Sequence, residues 1–213
     1  MNMKKKIVTV CLVACMALTA VAGGTLAYFT DSDDATNTFT VGNVDITLTE
    51  EGWGNEETIG HLVPGKTIAK DPTVTLNTGS EDAWVFVEVE IGSDFQTVMS
   101  KATGKTDFAN WVNHKTGAGD AVESGVNPAW KPVEGKSTTT KLVYCYNNAS
   151  VKAGTPMPAL FDNVVVPDTL NLTKEDAEKV NGKEGMNIKI TAKAIQTIDG
   201  VETAVAAYEA LTK

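Results

Sequence analysis

The sequence predicts an all-β protein, an antiparallel β-sandwich with one or two short helices and long loops. Three observations predict it. Several runs alternate apolar and polar residues with period two, the mark of a strand with one buried face. Turn-forming Gly, Pro, Asn and Asp separate those runs closely enough for about six to eight strands. Helix-start signals are scarce and lie near the C-terminus.

The first 27 residues stand apart from this pattern. Lys4, Lys5 and Lys6 precede an uncharged run from Ile7 to Ala22, and Gly23-Gly24 and the small Ala27 follow. A secretion channel and signal peptidase require that order, so residues 1–27 read as a cleavable signal peptide, cut between Ala27 and Tyr28. The 16-residue apolar run falls short of the ~20 residues of a membrane-spanning helix, although an uncleaved anchor is an alternative. A second alternative is a lipobox at Leu12-Val13-Ala14-Cys15. Against it, the apolar run continues past Cys15 to Ala22 and is short before it.

Beyond the signal, Phe39 and Val41 are apolar on one parity, and Val44, Ile46 and Leu48 on the other. The phase changes at Gly42, which suggests a bend or bulge. Residues 28–41 therefore form a separate N-terminal segment, and residues 42–213 the β-sandwich domain. Val63-Pro64-Gly65-Lys66 reads as a turn, with Pro presetting φ and Gly accepting a positive φ. Val74 and Leu76 give a short strand ended by Asn77-Thr78-Gly79-Ser80. Ala83 to Ile91 is the strongest strand, with Val85, Val87, Val89 and Ile91 on one face. Trp84, Phe86, Glu88 and Glu90 share the other face, which is expected to begin covered and end wet.

Residues 100–141 are rich in Gly, Thr, Asn and Lys and read as long loops with an irregular strand or short helix. Trp111 and Trp130 are expected to dock them on the sandwich. Leu142 to Tyr146 and Leu160 to Val166 add β-rich runs. Thr173-Lys174-Glu175-Asp176 opens a short helix through Val180 that Asn181-Gly182 stops. Asn187 to Ile198 is the last clear strand, with Ile188, Ile190, Ala192 and Ala194 inward and a bulge expected at Ile195. Glu202 to Leu211 fits either a short helix or a closing strand.

Composition limits the function. Residues 28–213 hold 15 Lys, no Arg and 27 acidic residues, a net charge of −12 that opposes binding to nucleic acid or anionic lipid. Cys11 and Cys15 lie in the signal, which leaves Cys145 without a disulfide partner and reading as a buried apolar residue. His61 and His114 are the only histidines and no His-Glu-x-x-His stretch exists, so both read as surface or loop residues rather than zinc ligands. Asp31, Asp33 and Asp34 invite a calcium reading, but Ala35 takes the fifth loop position and Thr36 the position that needs Gly. A solvated acidic stretch is the expectation.

No phosphate loop, Gly-x-Ser-x-Gly elbow or Cys-x-x-Cys pair appears, so no catalytic residue, metal ligand or cofactor is expected. Asn148-Ala149-Ser150 and Asn171-Leu172-Thr173 match a glycosylation sequon, a motif too short to carry weight alone. Trp84, Trp111 and Trp130 share no pattern and read as core or loop anchors rather than a sugar-stacking platform. Ala210-Leu211-Thr212-Lys213 shows neither a sorting motif nor an apolar tail.

Gly23-Gly24-Thr25-Leu26-Ala27-Tyr28-Phe29-Thr30-Asp31, followed by Thr38-Phe39-Thr40-Val41-Gly42-Asn43-Val44-Asp45-Ile46, resembles the N-terminus of the TasA and camelysin (CalY) family. The resemblance continues in Leu62-Val63-Pro64-Gly65-Lys66, in Asn77-Thr78-Gly79 and in Ala192 to Gln196, and is loose between about 97 and 165. It implies a jelly-roll sandwich. It also implies a protein exported by a Gram-positive bacterium, located in the extracellular matrix or on the cell surface. A SipW-type signal peptidase would cut it, and it would build biofilm matrix fibres with itself as homopolymer and with other matrix proteins.

A mechanism is available for such assembly. Cleavage would free Tyr28 to Val41, whose Phe29, Phe39 and Val41 could fill a groove on the next subunit while the backbone extends its sheet. The alternative is that the segment pairs within its own subunit as the first strand. Camelysin is classed with metallopeptidases, so a secreted peptidase is the second functional reading. A surface-displayed binding module using the loops around Trp111 and Trp130 is the third.

Overall fold

Residues 43–53, 62–117, 119, 121–170 and 185–213 are described by a computed structural model. The chain divides after Val41, and every described residue belongs to the unit Gly42–Lys213. The signal, the segment 28–41, the Asp31 cluster, His61, the Asn171 sequon and the helix expected at Thr173 lie outside the described residues.

The alternating runs become ten strands in antiparallel sheets among the described residues. Ala83–Ile91 (β4) is the centre of the first large sheet, paired along its whole length with Ile188–Gln196 (β10). On its other side runs Lys141–Tyr146 (β8), followed by Trp130–Pro132 (β7), giving the order β10-β4-β8-β7. The second large sheet is Thr67–Ala69 (β2), Asn163–Val165 (β9), Val112–Lys115 (β5) and Val122–Ser124 (β6), in that order. Ile46–Thr49 (β1) pairs with Thr73–Leu76 (β3), and β1 lies beside β10. From β1 to β10 the chain passes back and forth between the two layers, which is jelly-roll connectivity.

Between the layers, Val85, Val87 and Val89 of β4 share one core with Val112 of β5, Val164 of β9 and Phe161. Each such side chain removed from water contributes about 1.5–3 kcal/mol. Trp111 and Trp130 anchor their segments as expected: both are buried, Trp111 Nε1 donating to Thr103 Oγ1 at 3.2 Å and Trp130 Nε1 to the Pro158 carbonyl at 3.0 Å. The turns hold too. Lys66 N–H donates to the Val63 carbonyl at 3.0 Å with Gly65 at φ 72°, and Ser80 N–H donates to the Asn77 carbonyl at 3.1 Å with Gly79 at φ 94°.

Other expectations are corrected. Ser93–Thr103 forms a helix (α1) that begins just after β4, because Phe95, Val98 and Met99 fall at i, i+3 and i+4 and are all buried. Gly104 ends it in the left-handed region at φ 68°. The segment that follows is more ordered than long loops, with a 3-10 turn at Phe108–Asn110 and strands β5, β6 and β7. Leu160 and Phe161 are buried ahead of the strand rather than in it, so β9 is shorter than the apolar run.

Ile195 marks no bulge. The β10–β4 register runs unbroken through Ile195↔Trp84, and Ile195 packs on a second apolar cluster on the outer face of the sheet. That face is covered by Ala204–Leu211, which is a helix (α2) rather than a closing strand, capped by Thr203 Oγ1 accepting from Ala206 N–H at 3.2 Å. His114 is neither on the surface nor in a loop: it is a buried residue of β5, its Nδ1 3.1 Å from the Gly125 carbonyl. The outer face of β4 ends wet only at Glu90, because Glu88 is 2% exposed.

Candidate functional site

Two features of the first large sheet are chemically unusual, a strand edge without ladder bonds and a buried carboxylate. The two four-stranded sheets end in β10, β7, β2 and β6. Three of these edge strands are three residues long, and β7 ends in Pro132, which has no N–H to offer a ladder. β10 is nine residues long and has no ladder partner on its outer side among the described residues, although β1 lies beside it there.

The polarity of that edge follows from the register. In an antiparallel ladder, alternate residues turn their N–H and C=O to opposite sides. Gly92 N–H donates to the Asn187 carbonyl, and Thr197 N–H to the Asp82 carbonyl, so odd-numbered residues of this stretch bond to β4. Ile188, Ile190, Ala192, Ala194 and Gln196 therefore direct their backbone groups to the open side. The first four of these also pack on the core between the sheets, yet remain half-buried where their partners Ile91, Val89, Val87 and Val85 of β4 are buried. Open hydrogen-bonding groups and a partly covered apolar row thus share one line.

On the outer face, Glu88 sits between both neighbouring strands. Lys193 Nζ of β10 lies 2.7 Å from Oε1, and Lys141 Nζ of β8 lies 2.9 Å from Oε2. Tyr208 of α2 donates its hydroxyl to the same Oε1 at 2.5 Å. Each lysine reaches Glu88 diagonally, since Lys193 is opposite Phe86 and Lys141 opposite Glu90. Burial pushes the Glu88 carboxyl up, but hydrogen bonds from Lys193, Tyr208 and Lys141 outweigh it and hold the group at about 2. Hydrogen bonding to Glu88 in turn raises Lys141. The cluster is a fixed anion with paired cations, not a proton donor.

Around it, α2 closes an apolar layer of Trp84, Phe86, Val133, Val143 and Cys145. Cys145 is fully buried, as expected, and burial pushes its thiol up to about 12. A buried thiol held protonated is a poor nucleophile. His114 has one ring nitrogen committed to Gly125, and no group of three or more His, Cys, Asp or Glu that could hold a metal occurs among the described residues. The donor set of the described residues does not fit a metal centre.

Of the residues singled out from sequence, Ala27, Tyr28, Phe29, Phe39 and Val41 lie outside the described residues. Glu88, Lys141, Lys193 and Tyr208 were missed. Their only sequence signal is a pair of acids on an otherwise apolar strand, because their partners are 53, 105 and 120 positions away. The chain matches no curated protein and no solved structure. Residues 2–116, which run through β1 to β5, match the camelysin metallo-endopeptidase family, and the chain belongs to that family.

Proposed function

We propose that this chain is a secreted structural protein that assembles into extracellular matrix fibres, residues 28–41 of one copy adding as a strand to the β10 edge of the next. The observation that carries this reading is the line of Ile188, Ile190, Ala192, Ala194 and Gln196, whose backbone groups have no ladder partner among the described residues even though β1 lies beside β10. A fourteen-residue segment is long enough to cover a nine-residue strand. Its Phe39 and Val41 alternate with Thr38 and Thr40, which suits a strand with one face on an apolar row. Asp31, Asp33 and Asp34, with no lysine in the segment, complement Lys189 and Lys193 of β10. Cleavage between Ala27 and Tyr28 by a SipW-type peptidase would free the segment, and other matrix proteins could join the same edge.

The test compares the chain from Tyr28 onward with the chain from Gly42 onward. Electron microscopy is expected to show filaments of the first and none of the second. Filaments of both, or of neither, overturn the reading. Hydrogen exchange adds a residue-level check, since amides of residues 188, 190, 192, 194 and 196 are expected to gain protection on assembly, whereas those of residues 189, 191, 193 and 195 are protected already.

The family name supports a second reading, a secreted metallo-endopeptidase. Casein hydrolysis that survives purification and stops with a chelator would favour it over the first. The third reading, a surface-displayed binding module, would use the loops around Trp111 and Trp130, whose own indoles are buried.

A further inference from the structure

We propose that Trp53, flanked by Glu50 and Asp71, is a binding site for a neutral glycan, the indole stacking on the apolar face of a sugar ring and the carboxylates accepting from its hydroxyls. The site goes beyond the fibre reading and does not depend on it.

Three of the four tryptophans are buried, Trp84 at 4%, Trp111 at 0% and Trp130 at 2% exposure, whereas Trp53 is 42% exposed. Trp53 packs in none of the apolar clusters of the described residues, so burial in a core is not what fixes it. Polar contacts hold the ring instead. Just past β1 the chain turns, with Trp53 N–H donating to the Glu50 carbonyl at 3.2 Å and Gly52 N–H donating to Asp71 Oδ1 at 2.7 Å. A Cβ at Gly52 would stand 3.0 Å from that oxygen, so glycine leaves room for the acid. Lys70 Nζ lies 4.6 Å from the centroid of the indole ring and 2.7 Å from Glu50 Oε1.

Lys70 is only 5% exposed, so its ammonium lies beneath the ring and the exposed area belongs to the opposite face. The turn therefore presents a flat apolar plate, fixed before any ligand arrives, with two carboxylates at its base. Preorganisation of that kind lowers the ordering penalty of binding. A sugar ring complements it, with a face of C–H groups to cover the indole and a rim of hydroxyls to donate to carboxylate oxygens.

Charge selects the ligand class. Glu50, Glu51 and Asp71 lie in or against the turn and are opposed by Lys70, which disfavours an anion. A cation on the outer face would compete with Lys70 for the same π-system. A neutral sugar meets neither objection.

The test is affinity electrophoresis of the chain from Tyr28 onward in gels containing dextran, a soluble β-glucan or galactomannan. At least one of these is expected to retard the chain. Trp53→Ala is expected to weaken that binding about tenfold and Trp53→Phe no more than about threefold, because a smaller ring still stacks. Asp71→Asn keeps an oxygen for Gly52 and removes the charge, and is expected to weaken binding about fivefold. Acrylamide should quench a red-shifted emission that Trp53→Phe removes and that the retarding glycan shields. A merely structural Trp53 would change the melting temperature of Trp53→Ala and leave retardation as in wild type. Retardation unchanged in Trp53→Ala, retardation by none of the neutral glycans, or retardation by cationic chitosan alone overturns the site and leaves the fibre reading untouched.

Discussion

The hydroxyl of Tyr208 donates to Glu88 Oε1 at 2.5 Å, joining a C-terminal helix to the central strand of the sheet beneath it. A carboxylate with 2% exposure survives in the folded protein because three donors replace the water it lost.

Acid stability should depend on that group. The folded carboxyl titrates at about 2, below the ordinary 4.5, so its contribution is complete above about pH 4.5 and is lost as the pH falls through about 2. Glu88 is expected to supply on the order of 3 kcal/mol of the stability lost between about pH 5 and pH 2. Urea unfolding across that range should show a shallower decline for Glu88→Gln than for wild type. Parallel declines would refute the assignment.

Cys145 should be inert in the native protein. Full burial and a thiol raised to about 12 leave almost no accessible thiolate at about pH 8. Mass spectrometry after iodoacetamide treatment is expected to show no adduct until guanidinium chloride unfolds the chain. Stoichiometric labelling of the native protein would contradict the burial.

Two tryptophans should respond differently to the same change. Trp111 is fully buried and donates to Thr103, whereas Trp84 Nε1 is buried with no hydrogen-bond partner among the described residues. Trp111→Phe loses volume and a satisfied bond, an expected cost of about 2–3 kcal/mol. Trp84→Phe loses similar volume but also removes an unsatisfied donor, so it should cost at least about 1 kcal/mol less. Chemical denaturation of both variants gives the difference, and equal losses would mean that Trp84 Nε1 finds an acceptor in solution.

The turn after β8 holds Asn147 and Asn148 at φ 48° and 53°, with Ala149 N–H donating to the Tyr146 carbonyl at 3.3 Å. Two consecutive left-handed residues define a type I′ turn, which Asn tolerates and Gly favours. Asn148→Gly is expected to be neutral or stabilising by about 0.5 kcal/mol, and Asn148→Ala to cost about 1 kcal/mol. Melting temperatures that fall in the reverse order would show that the turn is not I′ in solution.

Strands with one buried face were legible. Val85, Val87 and Val89, or Ile188 and Ile190, announce themselves because period two needs only neighbouring residues. Burial on both faces was not legible, and that accounts for Ile195 and Glu88. Ile195 interrupts the alternation because α2 covers the second face of its sheet, and no local pattern records a helix that begins nine residues later. Glu88 resembles any surface acid until strands from 53 and 105 positions away bring lysines to it. Helix α1 could have been found from the spacing of Phe95, Val98 and Met99, but it starts two residues after a strand and carries no side-chain cap. That β10 lacks a ladder partner on one side is a property of sheet order, which periodicity cannot supply.

Among the described residues, the short β2 and β6 and the proline-ended β7 offer little backbone to a neighbouring chain. Rims of that kind are poor adhesives, so indiscriminate sideways sticking of copies along them is disfavoured.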